Sequence, residues 1–132
     1  VDSLRLLQEI DKQAKKHNRT IACLFQIHIA EETTKFGLNE TELNEVVVSS
    51  EFKALHNVKI VGLMGMATFT SNQTQIRREF KTLKRLYDHL GSILPDITIL
   101  SMGMSGDFDV AIEEGSNMVR IGSSIFGARN YT

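Results

Sequence analysis

The chain alternates between two hydrophobic periods, one typical of helices and one typical of strands. Near the start, apolar residues recur every three or four positions, which predicts an amphipathic helix: Leu4, Leu7, Ile10 and Ala14. Asp2 or Ser3 would cap this helix. Residues 39–55 predict a second helix, with a capping pattern that runs from Asn39 to Glu42.

Short runs of β-branched and aromatic residues predict four strands, at 20–30, 58–66, 96–100 and 117–122. Between the second and third runs lies the most regular helical pattern, which Ser71 or Asn72 would cap and Gly91 would end in a left-handed conformation. Its apolar positions follow a 4-3-4-3 rhythm: Ile76, Phe80, Leu83, Tyr87 and Leu90. A short helix ending at Gly115 and a last helical turn at 123–131 complete the pattern.

Long crossovers separate the predicted strands, which favours a parallel sheet with right-handed connections. Parallel strands are usually covered on both faces or closed into a barrel, and four strand–helix units are half of an eight-stranded (β/α) barrel. We therefore predict one partial domain over residues 1–132, a half TIM barrel, with a small open sheet as the rival. In the barrel, Gln26, His28 and Arg120 would face the lumen.

Composition narrows the class of protein. The chain has 132 residues, 42% of them hydrophobic and 23% charged, as expected for one globular domain. A net charge of -1 and the lack of any long basic run argue against a nucleic-acid partner. The longest apolar run is half the length that a bilayer requires, so no membrane span is predicted. The single cysteine, Cys23, excludes an intrachain disulfide and indicates a reducing compartment such as the cytoplasm.

Two loops rich in glycine and serine follow the last two predicted strands, "SMGMSGD" at 101–107 and "IGSS" at 121–124. Ligands of parallel α/β folds bind beyond the carboxyl ends of strands, and barrels often hold phosphate in the last two loops. Small residues let a backbone approach an anion, and free helix amides attract it. The loops therefore predict a phosphate site, with ordinary strand-to-helix turns as the alternative.

Arg120 lies between two apolar residues in the last predicted strand, where a guanidinium requires an acceptor. The acceptor is either a core acid, Asp107 or Asp109, or a bound ligand. His28 either lines the ligand pocket or is a hydrogen-bonded core histidine. The charged residues after the first strand are either catalytic or a solvated loop: Glu31, Glu32 and Lys35. Metal-ligand spacing and a G-x-S-x-G motif are absent from the sequence.

Four segments together resemble the YggS/PROSC family of pyridoxal 5′-phosphate (PLP) homeostasis proteins: "VDSLRLLQEIDKQA", "FQIHIAEETTKFG", "VGLMGMATF" and "LSMGMSGDFDVAIEEGSNMVRIGSSIFGARNY". The resemblance covers nearly the whole chain. It implies a barrel like the N-terminal barrel of alanine racemase, which is PLP fold type III. It also implies that this chain is the carboxyl-terminal half, and that the lysine forming a Schiff base with PLP lies in a first half that precedes it.

The resemblance also implies which residues hold the cofactor. The residues near the phosphate would be Ser101, Met102, Ser105, Gly122 and Ser123. Arg120 would approach the pyridine nitrogen and keep it unprotonated, which suits a PLP carrier rather than a catalyst. The alternative is a racemase-like enzyme of fold type III. We therefore expect PLP, phosphate or sulfate as ligand. Since half a barrel leaves sheet edges open, we expect the missing half or a second copy of the chain as partner.

Overall fold

The computed structural model describes residues 1–33 and 36–129. One helix is followed by four strand–helix units, in the predicted order. The elements are α1 (Leu4–Lys16), β1 (Ile21–Ile27), α2 (Glu40–Val48), α3 (Ser50–Lys53), β2 (Val58–Gly65), α4 (Gln73–Gly91), β3 (Ile99–Met104), α5 (Phe108–Glu113), β4 (Met118–Arg120) and α6 (Ser123–Phe126).

Side-chain caps fix where the longer helices begin. Ser3 accepts a hydrogen bond from the Leu6 N–H and is therefore the cap of α1. A complete capping box joins Asn39 and Glu42 at the start of α2, as predicted. These local bonds satisfy amides that would otherwise lack partners in the first helical turn.

Two helix boundaries differ from the prediction. The single helix expected at 39–55 is divided at Ser49, which is extended (ψ 148°) and caps α3 by accepting from the Phe52 N–H. Gly91 is still helical, so the predicted left-handed ending there was wrong. Ser92 ends α4 instead, because its hydroxyl donates to the His89 carbonyl at 2.6 Å. Gly115, with φ 106°, does follow α5 in the left-handed region.

The four strands are parallel and stand in sequential order, β1-β2-β3-β4. Sequential order means that every crossover steps in the same direction, so connections of one hand place the helices on one face. An open doubly wound sheet reverses its order midway instead. The architecture is therefore that of half a (β/α) barrel, as predicted, rather than the rival open sheet.

The core lies between the sheet and the helices. Strand residues such as Phe25, Leu63 and Leu100 pack there against helix residues that include Leu7 and Phe80. Their burial from water is the main stabilising contribution to such a layer.

The opposite face of the sheet carries half-buried residues. Gln26 alternates with the buried residues of β1 and lies on this face, as predicted, with its Nε2 donating to the Phe36 carbonyl. His28 follows the strand, and its N–H donates to the Leu38 carbonyl. Across the described ranges, no helix combines the length and apolar character needed to cross a bilayer.

Candidate functional site

The carboxyl ends of β2, β3 and β4 open into one cleft of about 920 Å³. Its lining comes from residues 67–70, 104–107, 122–123 and 126–129, together with Ile76 and Arg120. These residues lie at or just after the carboxyl ends of the three strands, which is where ligands bind in parallel α/β folds. The cleft therefore lies where the sequence predicted a ligand site.

The two predicted phosphate loops contact each other inside this cleft. The Ser105 hydroxyl oxygen accepts a hydrogen bond from the Gly122 N–H at 3.3 Å and another from the Ser124 N–H at 3.1 Å. Ser123 lies between these two amides and also lines the cleft. An acceptor oxygen is thus held by two neighbouring amides at the start of α6, in the way that an anion oxygen would be.

The first of the two loops is shorter than predicted. The run "SMGM" belongs to β3, and only residues 105–107 form the turn. Ser101 is 1% exposed, and Met102 is fully buried in the core. These two residues therefore lie behind the wall of the cleft, whereas Ser105, Gly122 and Ser123 line it.

A bulge directs the end of β3 toward the cleft. Ser101 pairs with Met118 and Met104 pairs with Arg120, so β3 has one extra residue in this interval. Gly103 lies in the bulge with φ 104°, a value that L side chains rarely adopt. Asp107 then closes the turn, because its Oδ1 accepts from the Met104 N–H at 2.8 Å.

Arg120 reaches across the sheet rather than into solvent. Its Nη2 donates to the Gly65 carbonyl at the end of β2, at 2.8 Å. Within the described ranges no carboxylate forms an ion pair with it. The first predicted alternative, an ion pair with Asp107 or Asp109, is therefore not observed. Its Nε is buried and has no hydrogen-bond partner there.

Two features of this environment shift the pKa of Arg120 in opposite directions. Burial lowers the pKa of the guanidinium, and the negative charge of Asp107 partly offsets this by raising it. An arginine is protonated at neutral pH even so, because its ordinary pKa lies far above 7. The cleft therefore contains a cation, and the buried Nε of this cation has no hydrogen-bond partner among the described residues.

The segment at 67–70 forms a wall of the cleft that the sequence did not indicate, because it suggested only the helix cap at Ser71 or Asn72 that follows. Thr68 and Phe69 line the cleft. Thr68 donates from its N–H and its hydroxyl to the carboxylate of Glu79, a buried residue of α4. Lys35 and the end of the last predicted turn, at 130–131, lie outside the described residues.

Fold and cleft together define the class of protein. The family model for the alanine racemase N-terminal domain matches residues 1–130, and the chain belongs to this family. The alanine racemase of Clostridium difficile shares this fold, with a TM-score of 0.66 at 21% identity, over 98% of this chain and 33% of that one.

More similar relatives confirm the resemblance to PLP homeostasis proteins. The pyridoxal phosphate homeostasis protein of Aquifex aeolicus is 39% identical over 135 residues, covering 99% of this chain and 57% of the relative. PipY of Synechococcus elongatus, solved with PLP bound, has a TM-score of 0.82 at 28% identity, over 96% of this chain and 58% of PipY. The chain thus spans little more than half the length of these relatives.

Proposed function

We propose that this chain binds PLP and supplies the phosphate-binding part of a protein that holds and delivers the cofactor. The contact between the two loops carries this proposal, because the Ser105 oxygen already accepts from the Gly122 and Ser124 amides. Relatives named for PLP homeostasis, and PipY solved with PLP bound, support it.

The residues of the cleft fit a phosphate group. Phosphate needs several donors in one place, and backbone amides next to small residues provide them. At Gly122 a Cβ atom would meet no heavy atom within 4 Å, so the space beside its Cα is open. Ser105, Gly122 and Ser123 would hold the phosphate, and the backbone of Ser101 and Met102 would support the loop from behind.

Arg120 would hold the other end of the cofactor. The buried Nε without a partner is a donor that fits the lone pair of a pyridine nitrogen. When bound, PLP supplies an electron sink whose strength depends on protonation of that nitrogen. Because arginine keeps its proton, it would leave the nitrogen unprotonated and the sink weak. This favours a carrier over a catalyst.

We further propose that the open side of the half barrel is covered by the rest of a barrel or by a second copy of the chain. Parallel sheets are normally covered on both faces, and the outer edge of β4 pairs with no other strand among the described residues. The outer edge of β1 is partly covered, because Val1 and Leu38 form hydrogen bonds with its second half. Near β4 the apolar side chains of Met118, Ile112 and Phe126 are exposed by 43%, 55% and 86%. Sedimentation that shows only monomer in the absence of a partner segment would contradict self-association.

A cytoplasmic location belongs to the same proposal. Cys23 is a buried free thiol, which suits a reducing compartment. Fractionation of cells that produce the protein, followed by detection with an antibody, would test this. Recovery in an oxidising compartment would contradict it.

Titration of the chain with PLP tests the proposed function. We expect Ser105→Ala and Ser123→Ala each to weaken PLP binding by about 1–3 kcal/mol, since each removes a hydrogen bond to a charged group. Pyridoxal, which lacks the phosphate, should bind both variants as it binds the wild type. Ser50→Ala, at the exposed start of α3 and remote from the cleft, is the matched control. Unchanged PLP affinity in both cleft variants would remove these hydroxyls from the site.

The racemase-like alternative is favoured by the family model shared with alanine racemase. Exchange of the α-proton of L-alanine for deuterium, followed by NMR with PLP present, distinguishes the two functions. A carrier should not exceed the exchange rate of free PLP, whereas an enzyme should exceed it many-fold.

A further inference from the structure

We infer that Glu79 is a positioning residue of the cleft, which fixes through Thr68 the wall that faces the phosphate loops. This inference deepens the proposed function and rests on it. Glu79 lies on α4 and is only 4% exposed, an unusual location for a carboxylate. Its side chain is not among the residues that line the cleft, so it would act through another residue.

The carboxylate of Glu79 is satisfied by three donors. The Thr68 N–H donates to it at 2.6 Å, the Thr68 hydroxyl at 2.7 Å and the Gln75 Nε2 at 3.1 Å. A buried charge is tolerated only where such hydrogen bonds replace water. Since all three partners donate in this arrangement, both carboxylate oxygens of Glu79 act as acceptors. A glutamine there would place an N–H₂ group against a donor.

Thr68 passes this constraint on to a second loop. Its hydroxyl uses its proton toward Glu79, so its oxygen is free to accept, and it accepts from the Glu31 N–H at 2.8 Å. The adjacent Phe69 N–H donates to Glu32 Oε1 at 2.6 Å. One buried carboxylate therefore fixes the loop after β2 and, through it, the loop after β1.

Hydrogen bonds hold the chain at two points, one just before the wall at 67–70 and one within it. Three residues before Thr68, the Gly65 carbonyl accepts from Arg120, a cation that lines the cleft. At the wall itself, Glu79 fixes Thr68 to α4. Loosening Glu79 should therefore alter the distance between the wall and the phosphate loops while leaving the phosphate loops themselves intact.

Three variants test this positioning role. We expect Glu79→Gln and Thr68→Val to weaken binding of both PLP and pyridoxal by about five- to twentyfold, since the wall faces the whole ligand. Thr68→Ser keeps the hydroxyl and should bind within about twofold of the wild type. Ser105→Ala, in contrast, should weaken PLP binding only. If Glu79→Gln fails to fold, Thr68→Val and its rescue by serine still decide the question.

Two controls separate positioning from general stability. Val47→Ala removes buried apolar volume from α2, remote from the cleft, and should lower the melting temperature without changing PLP affinity. Glu45→Gln removes an exposed carboxylate and should change neither quantity. Wild-type affinity in folded Glu79→Gln and Thr68→Val would overturn the inference. Equal weakening by Val47→Ala would overturn it as well.

Hydrogen exchange tests the positioning role of Glu79 independently of PLP binding. If the wild-type chain binds no PLP, the proposed function fails. The positioning inference then depends on amide protection in Glu79→Gln. Thr68, Phe69 and Glu31 should lose protection by at least tenfold while β3 keeps its own. Unchanged protection at these three amides would overturn the inference.

Discussion

Gly122 offers a steric test of where the phosphate binds. The residue lies in the cleft just before α6, with φ -123°. A Cβ atom added there would meet no heavy atom within 4 Å. Gly122→Ala should therefore fold normally, with a free energy of unfolding within about 0.5 kcal/mol of the wild type.

The same methyl group would occupy the space beside the proposed phosphate. The added methyl group and a phosphate held at this residue would compete for the same open space, because Gly122 lines the cleft. The methyl group should therefore displace the phosphate from at least one amide. Losing one hydrogen bond to a charged group costs about 1.5–3 kcal/mol. This corresponds to about a ten- to hundredfold increase in Kd.

Isothermal titration with PLP and with pyridoxal measures the effect. PLP should lose affinity in Gly122→Ala, and pyridoxal should not. Gly91→Ala is the matched control, because its Cβ would meet only Ile97, at an ordinary 3.9 Å, far along the chain from the cleft. If Gly122→Ala binds PLP as the wild type does and melts at the same temperature, the phosphate does not lie at this amide and the reasoning is refuted.

Three further predictions concern the fold that carries the cleft. Gly62→Ala would press a Cβ into the Ile99 carbonyl oxygen of β3, so urea denaturation should show a loss of about 2–3 kcal/mol or more; an unchanged midpoint would contradict the close approach. Asn39→Ala removes the side-chain half of the capping box with Glu42 and should cost about 1 kcal/mol in thermal unfolding. Burial raises the pKa of Cys23, so the native thiol should react more slowly with a disulfide reagent near pH 8.5 than the urea-unfolded thiol does. Because the folded thiol has the higher pKa, stability should also fall as the pH rises through the ordinary thiol pKa.

Local periodicity was sufficient to predict the elements, but not all of their ends. The third strand was predicted at 96–100, whereas β3 extends to Met104. Ser116 donates to the Met102 carbonyl at 2.6 Å, and Asn117 accepts from the Leu100 N–H at 2.8 Å. These partners lie 14 and 17 residues away, so a pattern within the strand could not indicate them.

The cleft was predictable where its residues follow strands in glycine- and serine-rich loops. The partner of Arg120 was not, because a backbone carbonyl 55 residues away leaves no signature in side-chain pattern. Glu79, in contrast, did leave a signature in the sequence. It stands three residues after Ile76 and four before Leu83, on the face of α4 that both of these buried residues define. An acid in that position indicates a buried carboxylate with dedicated donors.

The crystal structure of this chain in complex with PLP tests the central claim most directly. We predict phosphate density beside Ser105, Gly122 and Ser123, with a phosphate oxygen taking the place of the Ser105 hydroxyl at the Gly122 amide. We also predict the Arg120 Nε beside the pyridine nitrogen. Phosphate density outside this cleft, or an Arg120 side chain turned away from the cofactor, would contradict it.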